Sequence, residues 1–129
     1  MAVKYLSDEW AKEVTSLLQS TEAVTNTIKG QSFGIQQVIT DVPDQGEVKF
    51  YAKATDGVPE VGIGETANPD ATLTANYDVS VLMDKGELNP QAAFMQGKLK
   101  IQGNLMKLMG LQGFVNSLGP AVAGLEREY

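Results

Sequence analysis

Two periodicities of apolar residues divide the chain. Apolar residues recur every three or four positions from Trp10 to Leu18, and Ser7 stands where a helix N-cap is expected. The sequence therefore predicts an amphipathic first helix. From Gly46 to Ala54 the pattern changes to strict alternation of apolar and polar residues, which predicts a strand with one face in water.

Strand patterns fill the middle of the chain. We predict four strands, over 33–42, 46–54, 58–65 and 71–75. Short turn sequences join the first three, which predicts an antiparallel meander. In the first strand the apolar parity changes between Ile35 and Val38, around Gln36 and Gln37, and we predict a β-bulge there.

The last third of the chain mixes both patterns. It predicts a helix over 77–85, a short helix over 91–95, a strand over 98–102 and one final helix from Asn104 through Leu118. Helices grouped before and after the strands favour an α+β domain with helices packed on one face of the sheet. The length of 129 residues suits one such unit, so we expect a single domain over 1–129.

Composition removes several classes of chemistry. The sequence contains neither histidine nor cysteine, so it has no Ser-His-Asp triad, no thiolate nucleophile and none of the usual His or Cys metal sites. We expect no catalytic residue, no metal and no cofactor. The net charge of −6 gives no electrostatic basis for binding nucleic acid.

The N-terminus and the apolar runs bear on location. Residues 1–10 are polar and mixed, unlike a secretory signal, and no apolar stretch approaches the roughly 20 residues that span a bilayer. We therefore expect a cytoplasmic protein without a transmembrane segment.

The segment over 88–125 differs from the rest of the chain. It contains no acidic residue but three lysines, Lys98, Lys100 and Lys107, and its final helix is apolar around most of its circumference. Gly110 and Gly113 loosen that helix. The pattern fits a buried core helix, and it also fits a movable cover over an apolar cavity.

Tyrosine and aspartate pairs offer a catalytic alternative that needs no histidine. The candidates are Tyr77 with Asp78 and Tyr51 with Asp84, which would serve an isomerase or a hydrolase. Most acidic residues stand in turns or at helix starts, where capping accounts for them, so structural roles are favoured.

A specific segment suggests a family. Residues 86–104 read GELNPQAAFMQGKLKIQGN, which closely resembles the signature of sterol carrier protein type 2-like lipid-transfer domains. The shared features are a turn before Pro90, an Ala-Phe-Met helix and a Gly-Lys-Leu-Lys-Ile-x-Gly-Asn strand. Glu87 departs from the lysine common in that turn, and the chain ends in Glu128-Tyr129 rather than a peroxisomal tripeptide.

The resemblance implies a fold and a function. It implies a five-stranded, mostly antiparallel sheet covered by helices on one face, enclosing a hydrophobic tunnel for a fatty acid, fatty acyl-CoA or sterol. We therefore predict non-enzymatic lipid binding and transfer. The residues predicted to contact the ligand are apolar and lie mostly near the C-terminus: Phe94, Ile101, Leu105, Met106, Leu108, Met109, Phe114, Val115 and Leu118, with Met83 and Trp10 in second rank.

The sequence allows two interpretations of the lysines and two of the function. The three lysines of the acid-free segment are candidates to meet an acyl or CoA headgroup, or they are simply solvated. The alternative function is an interaction module, in which the apolar C-terminal helix docks on a partner enzyme or on a second copy as a homodimer.

Overall fold

The computed structural model describes residues 2–129, apart from the side chains at positions 115 and 116. The elements follow in the order β1 (Val3–Lys4), α1 (Asp8–Ser20), α2 (Glu22–Thr25), β2 (Phe33–Val42), β3 (Gly46–Thr55), β4 (Val58–Ile63), β5 (Ala71–Asn76), α3 (Tyr77–Asp84), α4 (Pro90–Met95), β6 (Lys100–Gly103), α5 (Leu105–Met109), α6 (Gln112–Val122) and β7 (Arg127–Glu128).

Five strands form one sheet in the spatial order β4-β3-β2-β5-β6. All neighbouring pairs are antiparallel except β2 and β5, which run parallel. The α+β class, the mostly antiparallel sheet and the β2–β3–β4 meander are thereby confirmed. The first helix is confirmed as well, because the Ser7 Oγ accepts the backbone N–H of Trp10 at 3.1 Å.

Gln36 holds the segment that carries the chain from β4 across the sheet to β5. Its Nε2 donates to the carbonyl oxygens of Phe50 and Gly64, each at 3.0 Å. Its Oε1 accepts the backbone N–H of Thr66 at 2.8 Å. The buried amide therefore has partners for both its donor and its acceptor atoms, as buried polar groups require.

The predicted β-bulge at Gln36–Gln37 is wrong. Pairing between β2 and β3 runs in register from Phe33 to Ile39, and the irregularity lies between Ile39 and Val42. Asp41, inside that irregularity, has a left-handed φ of 58°. The parity misled because Gln37 occupies a helix-facing position between Ile35 and Ile39, where the pattern requires an apolar residue.

The single final helix is also wrong. The chain forms two helices, α5 and α6, separated at Gly110 and Leu111. Leu111 has a φ of −100° and a ψ of 13°, outside the helical range. Glycine favours a break at this point, and Leu111 and Phe114 are buried in the core beyond it.

A short parallel pair, β1 with β7, ties the two ends of the chain together. Arg127 extends this link to α3, because its Nε lies 2.7 Å from the Asp84 Oδ2. The Tyr129 hydroxyl donates to the same oxygen. Burial raises the pKa of Asp84, and the hydrogen bond from Tyr129 and the charge of Arg127 offset part of that rise. The sequence pattern did not indicate this pair of strands.

The interior consists of two apolar clusters. The main core lies between β2, β3 and β4 and the helices α1, α2 and α6. A second, smaller cluster is formed by Ala75, Val79, Ala93 and Leu99. It lies under α3 and α4, beside the edge strand β6.

Candidate functional site

Three adjacent rows of cross-strand neighbours lie at the middle of the sheet, on the face that meets the helices. Phe50 identifies this face, because its ring packs edge-on against Trp10 of α1 at 5.1 Å between centroids. In two of the rows, every paired residue with an apolar side chain is buried. These are Val61, Ala52, Ile35 and Ala71 in one row, and Val48, Ile39 and Ala75 in the other.

The middle row is covered less completely. It consists of Ile63, Phe50, Gln37, Leu73 and Ile101, and only Phe50 is buried. Gln37, Leu73 and Ile101 lie on the adjacent strands β2, β5 and β6, and each is half-buried. We call these three residues the sheet trough. The helices leave accessible surface there, although the flanking rows are buried where they cross β2 and β5, at Ile35 and Ala71 and at Ile39 and Ala75.

The sheet trough follows the boundary between the two apolar clusters. Leu73 packs against both clusters, and Ile101 packs against the smaller one together with Met83. Helix α3 packs against β2 and β5, the two strands that carry Gln37 and Leu73. The trough therefore lies at the boundary of the two clusters, where neither buries the sheet completely.

Exposed apolar side chains flank the edge strand β6. On α4, Phe94 and Met95 are exposed, Met95 at 85%. On α5, Leu105 is exposed, and Met106 and Met109 are 82% and 71% exposed. None of the five residues of α5 is buried. Apolar surface concentrated in this way is typical of interaction and ligand-binding regions.

The residues predicted to contact the ligand fall into three environments. Trp10 and Phe114 are buried in the main core, and the Phe114 ring packs edge-on against Phe33 at 5.0 Å. Leu108 and Leu118 are half-buried against that core. The others are half-buried at the smaller cluster or exposed on α4 and α5: Met83, Ile101, Phe94, Leu105, Met106 and Met109.

Ligand contact by these residues stays a prediction. The side chain of Val115 lies outside the part of the chain that the structure describes. Sequence reasoning missed Gln37 and Leu73 as site residues. The change of parity at Gln37 was the available signal, and it indicates a polar residue on an apolar face rather than a bulge.

The lysines of the acid-free segment lie at different places. Lys98 and Lys100 are exposed, and Lys107 is half-buried. Lys100 is adjacent to Ile101 along β6, so its side chain points to the opposite face of the sheet from the trough. A headgroup role for the lysines stays a prediction.

Of the two proposed acid–base pairs, Tyr51 and Asp84 do not meet. The Tyr51 hydroxyl donates to Glu60 at 3.1 Å, whereas Asp84 is held by Tyr129 and Arg127. Burial raises the pKa of Tyr77, and the charge of Asp78 adds to the effect. Among the described residues, no three acidic side chains gather as a metal site would need.

Two surface cavities lie away from the trough. One, of about 390 Å³, is lined by residues that include Lys53, Asn68 and Asp70. The other, of about 340 Å³, lies between α1 and β4. Neither is lined by any residue predicted to contact the ligand. No described helix is both long and apolar enough to cross a membrane.

Known proteins are similar to this chain in sequence and in fold. Residues 14–116 match the family model described as the SCP-2 sterol transfer family. Chicken sterol carrier protein 2 is 41% identical over 78 residues, which is 57% of this chain and 14% of that protein. The chain thus spans about one seventh of the length of this curated relative.

Solved structures agree over most of the chain. A crystal structure of sterol carrier protein 2 superposes with a TM-score of 0.78 at 19% identity, covering 95% of this chain and 99% of that one. The sterol carrier protein domain 2 of Helicoverpa armigera superposes with a TM-score of 0.67 at 26% identity, covering 87% of each chain. The match to the family model includes β2 to β6 and all of the sheet trough. This chain belongs to the SCP-2 sterol transfer family.

Proposed function

We propose that this chain binds and transfers lipids, without catalysing a reaction, at the sheet trough and the apolar surfaces beside it. The observation that carries the proposal is the contrast between the middle row of the sheet and its buried neighbours. An apolar strip with remaining accessible surface can hold a hydrocarbon chain. Family membership and the names of the relatives support a fatty acid, fatty acyl-CoA or sterol as ligand.

The hydrophobic effect supplies the affinity in this proposal. Burial contributes about 0.8 kcal/mol per methylene, so about six buried methylenes supply roughly 5 kcal/mol. Exposed side chains of α4 and α5 would be covered in the same step, which adds to the gain. Apolar walls discriminate weakly between chain lengths, so we expect a broad range of ligands.

Helix α5 acts as the movable cover of the site. It is five residues long, begins after Asn104, whose Oδ1 accepts the Lys107 N–H at 3.0 Å, and ends at Gly110. No residue of α5 is fully buried, and Leu108 alone packs half-buried against the main core, so tilting the helix disturbs few contacts. The exposed methionines of α5 adapt to ligands of different shapes because their side chains are flexible. The tunnel implied by the family resemblance would form when α5 closes over the trough.

We further propose how the whole chain, its core and its location serve this function. Residues 1–129 act as one domain, supported by the β1–β7 pair that joins the chain ends. Trp10 and Phe114 support the site through the core beneath it. The cytoplasmic location stays a prediction, which cell fractionation of the native protein checks.

The primary test is direct detection of bound lipid. The purified protein is extracted with organic solvent for mass spectrometry, and binding is followed by displacement of a fluorescent fatty acid or a fluorescent sterol. We expect co-purified lipid and saturable displacement. The absence of both would contradict the proposal.

A pair of variants locates the site. Replacing both Met106 and Met109 by glutamine weakens lipid affinity about tenfold, because two apolar contacts with the ligand are lost. Val58→Gln is the matched control, since Val58 is 55% exposed on β4, the edge of the sheet opposite β6. Equal affinities in the two variants would place the ligand elsewhere.

An interaction module is the second candidate, and the exposure of Met95, Met106 and Met109 favours it. These side chains would be covered by a partner enzyme or by a second copy of the chain. Light scattering distinguishes the two functions. The second candidate would be supported by a protein that takes up no lipid and forms a dimer. Replacing Met106 and Met109 by glutamine should then dissociate that dimer.

A further inference from the structure

Gln37 is a polar residue on an apolar wall. It lies on the helix-facing side of the central strand β2, between Phe50 on β3 and Leu73 on β5. All the other paired residues of the three rows are apolar or glycine. Gln37 is half-buried, and among the described residues its side-chain amide makes no hydrogen bond.

The adjacent glutamine shows what a structural amide does in this fold. Gln36 points to the opposite face and bonds Phe50, Gly64 and Thr66 through its amide. Gln37 has no such role in the sheet, and its neighbours along the trough, Leu73 and Ile101, offer no polar side chain. Its amide is therefore available to a molecule lying in the trough.

The amide constrains which lipid can lie there. A plain hydrocarbon would remove water from Gln37 and leave its donors and acceptor without partners, which is unfavourable. A hydroxyl group would donate to the Oε1 and accept from the Nε2, and would keep the amide satisfied. A site built to bond a hydroxyl rejects the analogue that lacks it.

The charges around Gln37 narrow the class of lipid further. The paired residues of the three helix-facing rows include no charged side chain, and the lysines of β3 lie on the other face, where Lys49 pairs with Glu65 and Lys53 with Glu60. The sheet therefore offers a carboxylate at Gln37 no counter-charge, and the carboxylate would pay the cost of burial. An uncharged oxygen avoids that cost.

We propose that Gln37 determines ligand specificity in the sheet trough, and that it selects lipids carrying an uncharged hydroxyl group over hydrocarbons and carboxylates of the same length. The inference rests on the proposed function, since it requires a lipid in the trough. Gln37 makes the polar contact, and Leu73 and Ile101 contact the hydrocarbon.

The test compares three probes of equal length: 1-dodecanol, dodecane and laurate. Each competes with a pyrene-labelled alkanol for the full chain, and the ratio of competition constants is the readout. In the wild type, dodecanol binds about tenfold more tightly than dodecane, as expected for one hydrogen bond and the avoided loss of solvation. Laurate binds more weakly than dodecanol as well.

Variants assign the selectivity to the amide. In Gln37→Leu the ratio of dodecanol to dodecane falls to within about twofold of one, because dodecane gains and dodecanol loses affinity. Gln102→Leu is the matched control, since Gln102 is exposed and pairs with Thr72 on the opposite face. It keeps the wild-type ratio.

The outcomes separate this inference from the proposed function. Saturable binding with the same ratio in the wild type and in Gln37→Leu overturns the role of Gln37 and leaves lipid binding intact. No saturable binding of the pyrene probe to any of the proteins overturns both. Gln37→Met, of similar volume, is measured in parallel, and the emission of Trp10 reports whether each variant is folded. Loss of the fold in both variants would assign Gln37 to the structure and overturn the inference.

Discussion

The two halves of the sheet are covered by very different helices. Over β3 and β4 lies α1, with 13 residues of which Trp10, Ala11, Val14 and Leu18 are buried. After β6 the chain forms α5, which has five residues and none buried. One half of the molecule thus supplies stability through dense packing, and the other keeps apolar surface available. The same fold can do both because α5 contributes only the half-buried Leu108 to the main core.

The largest expected effect tests the closed half. Phe114→Ala removes a ring that is 1% exposed and packs edge-on against Phe33. We expect the free energy of unfolding to fall by about 3–5 kcal/mol, from lost burial and the cavity left behind. Urea denaturation followed by circular dichroism measures it. A loss below about 1 kcal/mol would show that the core around α6 is not densely packed.

A middle-sized effect tests how the C-terminal strand holds α3, which packs against the strands that carry the trough. Arg127→Gln removes the cation beside Asp84, whose pKa is already raised by burial, so that pKa rises further. A carboxyl with a raised pKa favours the folded state when protonated. Its contribution is complete below the unfolded pKa of about 3.9 and is lost as the pH rises through the folded pKa.

The variant loses the bond from the Arg127 Nη1 to the Val122 carbonyl oxygen at every pH, and it loses further stability as the pH rises, by about 2 kcal/mol at neutral pH. Denaturation curves for both proteins across the acid range measure the difference. In the double variant with Asp84→Asn the difference should not depend on pH in this range. A deficit that is equal at all pH values in Arg127→Gln itself would contradict the electrostatic explanation.

The smallest expected effect tests the open half. Met109→Ala changes a side chain that is 71% exposed, so the free energy of unfolding should stay within about 0.5 kcal/mol of the wild type. The measurement is the same urea denaturation as for Phe114→Ala. A loss as large as in the core variant would mean that α5 packs closely, and the contrast between the halves would fail.

Most of the architecture could be predicted from the sequence, because it depends on local patterns. The alternation from Gly46 to Ala54 and the Ser7 cap lie where the structure has β3 and the start of α1. The two wrong predictions have one origin, since tertiary packing decided against the local pattern. Gln37 broke the apolar parity of β2 without a bulge, and Leu111 left the helical conformation to enter the core.

The site was less predictable than the fold. Apolar periodicity marks residues that leave water, but it does not distinguish a core position from a ligand contact. Phe114 and Met109 therefore looked alike in sequence, although one is buried and the other exposed. The sheet trough depends on pairing between distant strands, and the β1–β7 pair depends on residues at opposite ends of the chain.

The parallel pairing of β5 with β2 also has a consequence for the order of assembly. It joins residues far apart in sequence, such as Ile35 on β2 and Ala71 on β5. The β2–β3–β4 meander closes through short turns, so it can form first, and β5 and β6 add to an existing edge. Partial opening should then reverse that order, releasing β6 before the meander. Backbone amide protons of β5 and β6 would exchange with solvent sooner than those of β3.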